Sequence, residues 1–338
     1  MPTVDRAPST TPPLPPLADL VEGAHVVRLP LRTRFRGLDA REALLVEGPS
    51  GWTEFSPFVE YGPAEAAAWL AATIDFGWGR LPEGGARRVP VNATLPAVSA
   101  DRVPDVLARY RGCRTVKVKV AERGQTLADD IARVAAARDW VGPEGRVRVD
   151  ANGGWSVELA EEALVGMAPY ALEYAEQPCA TVPELAELRR RVSGTGVLVA
   201  ADESVRKADD PLAVARAGAA DLLVIKAQPL GGVTAALRIV AAAGLPVVVS
   251  SALDTSVGLS MGAHLAAAVP GLRHDCGLGT AALLGADVTR DPLLPVDGEI
   301  DVRRVEVDVD LLRRHAVDDD RRDVWLERLR ASYAVLAG

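Results

Sequence analysis

The sequence is poor in cysteine and histidine, the residues that supply most zinc sites. Its 338 residues include only three cysteines, which are too few and too widely spaced for a disulfide framework. No CxxC pair is present, and the four histidines show no spacing typical of a zinc enzyme. We therefore expect a protein of the reducing cytoplasm without a thiolate or histidine metal site. The cysteines are Cys113, Cys179 and Cys276.

Long apolar runs and an excess of positive charge are also absent. No uninterrupted apolar stretch approaches the ~18–20 residues that cross a bilayer. The Pro- and Thr-rich start, Met1–Pro16, lacks the apolar segment of a secretory signal and is expected to be a flexible tail. Because 38 Lys and Arg stand against 46 Asp and Glu, the net charge of -8 indicates no basic face for nucleic acid. We expect a protein that binds neither membrane nor nucleic acid, and a monomer is favoured.

The strand and helix patterns that are present change near residue 89 and divide the chain there. Short alternating stretches and an Ala-rich helical segment favour a small α+β unit over residues 17–88. The alternating EIDVRRVEVDVD stretch and a final helix, within 290–338, are expected to pack back on that unit. Together they would form an α+β capping domain, and residues 89–289 a separate catalytic domain.

Residues 89–289 alternate short aliphatic runs with helical stretches. Run starts lie about 24–32 residues apart, which is typical of the βα repeat of a parallel barrel. We therefore predict an α/β fold, a modified TIM barrel of the (β/α)7β type with a capping domain. The eighth run is weakly marked, because DCGLGTAALL has little strand propensity. The predicted strands are Val89–Leu95, Thr115–Val120, Val147–Ala151, Leu172–Glu176, Val197–Ala201, Leu222–Ile225, Pro246–Ser250 and a segment around Asp275–Gly279.

Polar residues interrupt these apolar runs at one end, where the active site of a barrel lies. Each has an ordinary alternative when taken singly, such as a helix cap at Asp150 or at residues 202–204. Their coincidence at the ends of six successive strands favours a functional site. They are Lys117 and Lys119 on the second strand, Arg148 and Asp150 on the third, Glu176 on the fourth, Asp202 on the fifth, Lys226 on the sixth, and Ser250 and Ser251 on the seventh.

The order of the strands predicts how these groups meet. Asp150, Glu176 and Asp202 come from neighbouring strands, and three carboxylates in one dry mouth repel one another unless a cation binds them. An all-oxygen set suits Mg²⁺ better than zinc. Strands two and six are opposite in an eight-stranded barrel, so Lys119 and Lys226 would flank a substrate. A base beside a cation suits removal of a proton next to a carboxylate, because the cation stabilises the resulting enediolate.

At these residues the sequence resembles the enolase superfamily, and within its muconate-lactonizing-type subgroup the o-succinylbenzoate synthase family of menaquinone biosynthesis. The matching segments are TVKVKV, RVDAN, EYAEQP, AADES and VIKAQP, with PLRTRFRG and GWTEFSP nearer the start. The resemblance covers most of residues 25–290. It implies a carbon–oxygen lyase that removes water from 2-succinyl-6-hydroxy-2,4-cyclohexadiene-1-carboxylate and yields 2-succinylbenzoate.

The resemblance also implies a role for each matched residue. Asp150, Glu176 and Asp202 would bind Mg²⁺. Lys119 would remove the proton and return one to the departing hydroxyl, while Lys226 would stabilise the enediolate. Substrate contacts are implied for Lys117, Arg148, Ser250 and Ser251. The small domain is expected to close over the mouth.

Three alternatives use the same residues. An N-succinylamino acid racemase or dipeptide epimerase would employ Lys119 and Lys226 as opposed bases, and it would exchange the substrate α-proton with solvent. A cycloisomerase would form product without loss of water. A barrel that binds a ligand without catalysis is the third, and the presence of both lysines argues against it.

Overall fold

The computed structural model describes residues 12–82, 84–206 and 210–338. Most of the predicted tail, residues 1–11, lies outside this range, and residues 12–16 form neither helix nor strand. Within the described ranges, no helix is both long enough and apolar enough to cross a membrane.

The chain first forms a three-stranded antiparallel sheet with a helix against it. Strand β2 carries apolar side chains on both of its faces. Leu44 and Val46 pack in an apolar cluster with Phe55, while Ala43 and Leu45 join the barrel core. The β1–β2 turn falls at Arg36 and Gly37, whose φ angles of 52° and 75° lie in the left-handed region that glycine tolerates. The elements are α1 (Leu17–Glu22), β1 (His25–Phe35), β2 (Leu38–Gly48), β3 (Gly51–Phe55) and α2 (Pro63–Trp78).

The predicted first barrel strand, residues 89–95, is two strands instead of one. Strand β4 (Arg88–Pro90) pairs antiparallel with residues Glu299–Asp301, whereas β5 (Ala93–Leu95) joins the parallel sheet. Pro90 lacks an N–H for a second neighbour, and the buried Asn92 interrupts the apolar run. The prediction of one continuous strand is therefore wrong.

The remaining sheet strands follow one another in chain order, and all are parallel. Strand β10 is buried along its whole length, as expected for a strand covered on both faces. The strands are β6 (Thr115–Lys119), β7 (Arg146–Asp150), β8 (Leu172–Glu176), β9 (Leu198–Ala201), β10 (Leu222–Lys226) and β11 (Val247–Ser250).

Two residues close this sheet at the position of the weakly marked eighth strand. Cys276 makes a parallel bridge to Val91, and Gly277 makes one to Ser250. The backbone N–H of Gly277 donates to the Val249 carbonyl at 2.8 Å, and the backbone N–H of Asn92 donates to the Cys276 carbonyl at 2.9 Å. The modified barrel is confirmed, with its last strand reduced to this segment.

Helices lie between the strands, mostly where helical periodicity predicts them. The helices between β9 and β10 are short, with four residues each. The helices are α3 (Val103–Leu107), α4 (Leu127–Val141), α5 (Val157–Met167), α6 (Val182–Arg191), α7 (Glu203–Arg206), α8 (Ala213–Arg216), α9 (Val233–Ala243) and α10 (Ser256–Ala268).

The C-terminal segment returns to the N-terminal sheet. Of the alternating stretch from residue 299, only β12 (Glu299–Asp301) forms a strand, and α11 (Val309–His315) and α12 (Asp319–Ala337) follow. Trp325 of α12 is fully buried against Phe55, with ring centroids 6.1 Å apart. Its indole N–H donates to Glu42 Oε2 at 2.8 Å. These contacts join both ends of the described chain in one apolar cluster.

Candidate active site

The two lysines of β6 lie on one face of their strand and reach the acids of the neighbouring strands. Lys117 donates to both carboxylate oxygens of Glu176 at 2.9 Å, and its Nζ lies 3.3 Å from Asp150 Oδ2. Lys119 donates to Asp150 Oδ2 at 2.5 Å and to Asn152 Oδ1 at 2.7 Å. The alternation of side chains in a strand places both amines toward the same acids.

The three predicted carboxylates end successive strands. Asp150 and Glu176 are register partners on β7 and β8, and Asp202 follows β9. All three are about 1% exposed. Asp202 accepts from Lys226 Nζ at 2.5 Å and from Arg206 Nε at 3.1 Å. Strand order thus places each of the three acids in contact with a predicted lysine: Asp150 with Lys119 and Lys117, Glu176 with Lys117, and Asp202 with Lys226.

Burial and charge shift the pKa values of these carboxyl groups in different directions. Burial, followed by the charge of Asp150, raises the pKa of Glu176 to about 7. Burial also opposes ionisation of Asp202, but Lys226 and Arg206 outweigh it and lower its pKa to about 2. For Asp150 burial is likewise outweighed, by Lys119 and Lys117, and its pKa falls well below the usual range.

The pKa values of the two β6 lysines are also shifted in opposite directions. Burial lowers the pKa of Lys119, and the nearby ammonium of Lys117 lowers it further, against the opposing effect of Asp150. Burial also disfavours the charge on Lys117, but Glu176 and Asp150 overcome it and raise the pKa of Lys117 above its usual range. Lys119 is therefore the amine that gives up its proton more readily, and Lys117 is a fixed cation.

The donor set has the chemistry of a site for a hard divalent cation. Its donors are carboxylate oxygens, they are buried, and burial together with the charge of Asp150 raises the pKa of Glu176. In the part of the chain that the structure describes, no three His, Cys, Asp or Glu side chains are gathered closely enough to form a ligand shell. Lysine ammonium groups bind the carboxylates instead. The residues fit a cation in donor type, and binding one requires these side chains to turn.

A pocket opens above these groups and holds about 410 Å³ of empty space, including its opening to solvent. Lys119, Lys226, Ser250 and Ser251 all line it, as predicted for the strand ends. Glu176 and Asp202 do not line the pocket, because Lys117 and Lys226, which bind them, form its surface there. From the N-terminal sheet, the β1–β2 turn adds Phe35 and Arg36 to the wall.

Among the predicted substrate contacts, Arg148 is the one that does not line this pocket. It is fully buried, and its Nε donates to Glu173 Oε2 at 2.5 Å. Its Nη1 donates to the backbone oxygen of Asp275 at 2.6 Å and lies 3.2 Å from Asn92 Oδ1. A register shift after Val147 brings Glu173 within reach. Arg148 thus lies one side-chain layer below Asp150, and the expectation of a substrate contact is corrected to a supporting position.

Sequence reasoning missed three residues that hold the site. Asn152 accepts from Lys119 and takes a left-handed φ of 48°, while Arg206 binds Asp202. Gln177 accepts from the backbone N–H groups of Asp202 and Ser204, at 3.0 and 3.1 Å. The DAN and EQP segments carried a signal, because each places a side-chain amide within two residues of the end of a buried strand.

Lysine usage is a further signal that composition alone contains. The chain has 34 arginines but only four lysines, at positions 117, 119, 207 and 226. The three that lie within the described residues, Lys117, Lys119 and Lys226, all line the pocket. Arginine remains protonated in proteins, whereas a buried lysine can be neutral. Retention of lysine at these positions is typical of sites that need an amine able to lose its proton.

Comparison with known proteins agrees with this architecture. The sequence model described as enolase C-terminal domain-like matches residues 101–306, and the one described as enolase N-terminal domain-like matches residues 26–77. Among solved structures, 2-chloromuconate cycloisomerase from Rhodococcus opacus superposes with a TM-score of 0.74 at 24% identity, covering 88% of this chain and 98% of that one. N-succinyl Arg/Lys racemase from Bacillus cereus gives a TM-score of 0.73 at 20% identity, covering 87% and 97%. At these identities the likeness shows the fold.

Relatives of higher identity narrow the family. The o-succinylbenzoate synthase of Mycobacterium marinum is 56% identical over 321 residues, which cover 95% of this chain and 96% of that protein. Those of Mycobacterium leprae and Mycobacterium tuberculosis are 54% identical, each over 96% of this chain and over 95% and 98% of their own lengths. With both enolase-like regions matched and these relatives similar over nearly their whole length, the chain belongs to the o-succinylbenzoate synthase family of the enolase superfamily.

Proposed function

We propose that this enzyme removes water from 2-succinyl-6-hydroxy-2,4-cyclohexadiene-1-carboxylate and forms 2-succinylbenzoate, a step of menaquinone biosynthesis. The family supports the reaction, and one observation carries its assignment to this pocket. Lys119 and Lys226 line the same cavity, and each binds a buried carboxylate. A neutral amine at Lys119 can take the α-proton of a carboxylated substrate, and an ammonium at Lys226 stabilises the negative charge that then forms.

Lys119 acts first as the base. It takes the proton from the ring carbon that bears the carboxylate, and the electron pair of that C–H bond enters an enediolate. Lys119 then protonates the ring hydroxyl, whose C–O bond breaks as the electrons return to form the aromatic ring. Water leaves, and the lysine ends neutral, as it began. One side chain serves both steps because removal and departure occur on the same face of the ring.

Lys226 remains a cation throughout this sequence. Its Nζ lies 2.5 Å from Asp202 Oδ2, and in the proposed role its positive charge stabilises the negative charge that forms on the substrate. Lys117, bound to Glu176, would face the ring carboxylate, while Ser250 and Ser251 add hydroxyl groups to the pocket wall.

The resident cofactor that we propose is Mg²⁺, held by Asp150, Glu176 and Asp202. When bound, it would supply positive charge for the substrate carboxylate and for the enediolate. The oxygen-only donor set favours this hard cation over zinc. Lys117 and Lys226 now neutralise these carboxylates, so each amine becomes free to face the substrate when the metal replaces it.

The capping unit is proposed to comprise residues 17–88 and 290–338, with the barrel over 89–289. Phe35 and Arg36 on the pocket wall support its role as a cover over the mouth. We also propose a cytoplasmic monomer. The three cysteines are free and buried, and the exposed large apolar side chains of the described chain lie on several separate elements. Light scattering of the pure protein tests the monomer.

The reaction itself is tested by incubating pure protein and Mg²⁺ with the cyclohexadiene acid and following aromatisation by ultraviolet absorbance. We expect multiple turnovers that stop when EDTA is added and resume with excess Mg²⁺. A parallel incubation with an N-succinylamino acid in deuterated water tests the racemase alternative through exchange of its α-proton. Absence of aromatisation in the presence of Mg²⁺ would refute the proposed function.

A further inference from the structure

A second buried polar cluster lies where the N-terminal sheet meets the barrel, outside the residues assigned above. At its centre is Glu54 of β3, a carboxylate with no exposed surface. Its Oε2 accepts three hydrogen bonds from the start of α10: from Thr255 N–H at 3.2 Å, Thr255 Oγ1 at 2.6 Å and Gly258 N–H at 3.0 Å. The cap thus places a negative charge against the N-terminus of a 13-residue barrel helix, where unpaired N–H groups stabilise it.

The other oxygen of Glu54 connects to the strand that carries Lys226. Glu54 Oε1 accepts from Ser56 Oγ at 2.5 Å and from Gln228 Nε2 at 3.3 Å. Gln228 lies two residues after Lys226, and its amide also donates to Asp254 Oδ1 at 3.0 Å. One carboxylate therefore contacts the segment after β10 and the segment after β11.

The packing of this cluster leaves no room for a side chain at Gly258. A Cβ atom at Gly258 would lie 2.9 Å from the Glu54 carboxyl carbon and 2.8 Å from Gln228 Nε2, closer than real contacts of this kind. Beside it, Arg41 of β2 donates to the Leu253 carbonyl at 3.1 Å. Leu253 lines the substrate pocket. Cap residues hence hold the backbone of the pocket wall directly.

We propose that Glu54 is a positioning residue: through Gln228 and the start of α10, it holds Lys226 and the pocket wall 250–253 in their reactive positions. The inference rests on the proposed function, because it takes Lys226 as the cation that stabilises the transition state. All five polar contacts of Glu54 come from donors, so the site requires a carboxylate and not merely a side chain of that size.

The test is the variant Glu54→Gln, which keeps the shape but turns an NH₂ group toward donors. Misplacement of a catalytic group by about 1 Å costs on the order of 100-fold in rate. We expect kcat to fall at least about 10-fold with KM changed less than about threefold, because Lys226 acts mainly on the transition state. The matched control is Thr53→Val on the same strand, which removes the buried bond from Thr53 Oγ1 to the Thr73 carbonyl. It should keep kcat within about twofold.

Hydrogen–deuterium exchange supplies a second readout that does not depend on turnover. In Glu54→Gln, amides of residues 226–228 and 250–258 should exchange faster than in the unmodified enzyme and in Thr53→Val. Unchanged exchange there, or a kcat within threefold of the unmodified enzyme, overturns the inference. An equal loss of kcat in both variants overturns it too, since the effect would then be general destabilisation.

Two further outcomes keep the test decisive. If Glu54→Gln does not fold, Gln228→Met, which removes the donor to Glu54 and Asp254 but keeps the length of the side chain, takes its place with the same expectations. If the unmodified enzyme does not dehydrate the substrate, the proposed function fails. The exchange measurement then still decides whether Glu54 holds the pocket wall.

Discussion

The variant Lys119→Arg tests the proposed base most selectively. Arginine preserves the positive charge that pairs with Asp150, but its guanidinium does not lose a proton in proteins. Asp150 also keeps its contact with Lys117, at 3.3 Å, so no buried carboxylate is left without a cation. The exchange therefore removes proton transfer and leaves no buried carboxylate of the site unpaired.

The expected magnitude follows from the two steps assigned to Lys119. A positioned general acid or base contributes about 100- to 10,000-fold to a rate. Since one amine serves both as base and as acid, kcat should fall at least about 1,000-fold, equivalent to about 4 kcal/mol of transition-state stabilisation. Lys119→Ala should likewise abolish dehydration while the protein folds and binds metal.

Ultraviolet absorbance of the aromatic product measures this loss under saturating substrate. Lys207→Arg supplies the matched control, because Lys207 is the one lysine of the chain to which no role in the site is assigned. It should retain activity, and thermal melting of both variants should remain close to that of the unmodified enzyme. If Lys119→Arg keeps more than about a tenth of the original kcat, Lys119 is not the base.

Two further variants test the packing and the charge network. Burial opposes ionisation of Glu173, but His274 and Arg148 lower its pKa to about 2, from an ordinary 4.5. A depressed carboxyl pKa stabilises the fold above pH 4.5 and ceases to do so as the pH falls toward 2. Glu173→Gln should therefore lower the free energy of unfolding by about 2 kcal/mol at pH 7, a value reduced because Glu173 is partly exposed. The difference from the unmodified protein should shrink in melting curves taken at lower pH. A difference that does not change with pH would contradict the ion pairing described. Trp325→Ala should lower the free energy of unfolding by about 3–5 kcal/mol in urea titrations, through loss of its packing on Phe55, and a loss below about 1 kcal/mol would contradict the packing described.

The barrel and most of its site follow from local patterns in the sequence. A strand buried on both faces is apolar throughout, so a charged residue at its end stands out, as Lys226 does after LLVI. The two-residue period of a strand likewise predicts that Lys117 and Lys119 share a face. Parallel order then predicts which strand ends are neighbours. These rules need no information on contacts between distant residues.

Distant pairing is what the sequence did not reveal. Strand β4 separates from β5 because residues 299–301, about 200 positions further on, pair with it. Arg148 faces Glu173 because of a local register shift that no periodicity predicts. In the segment GWTEFSP, Glu54 has the pattern of an ordinary strand residue, and its hydrogen bond with Thr255 forms only in the folded chain. A single sequence specifies such contacts only through the complete three-dimensional packing.

The ion pairs of the site also lay beyond the sequence pattern. Repulsion among Asp150, Glu176 and Asp202 indicates that a cation must lie among them, but it does not specify which one. In the structure, lysine ammonium groups take that part. We therefore expect a divalent metal to bind the same carboxylates in place of these amines.

A titration of the protein with Mn²⁺, in which electron paramagnetic resonance measures the free ion, tests whether these carboxylates bind a divalent metal. The unmodified protein should bind Mn²⁺ at a single site from which Mg²⁺ displaces it. Asp202→Asn should lose that site, while Asp310→Asn, an exposed acid on α11, should keep it. Failure of the unmodified protein to bind Mn²⁺, or equal binding by Asp202→Asn, would contradict the account.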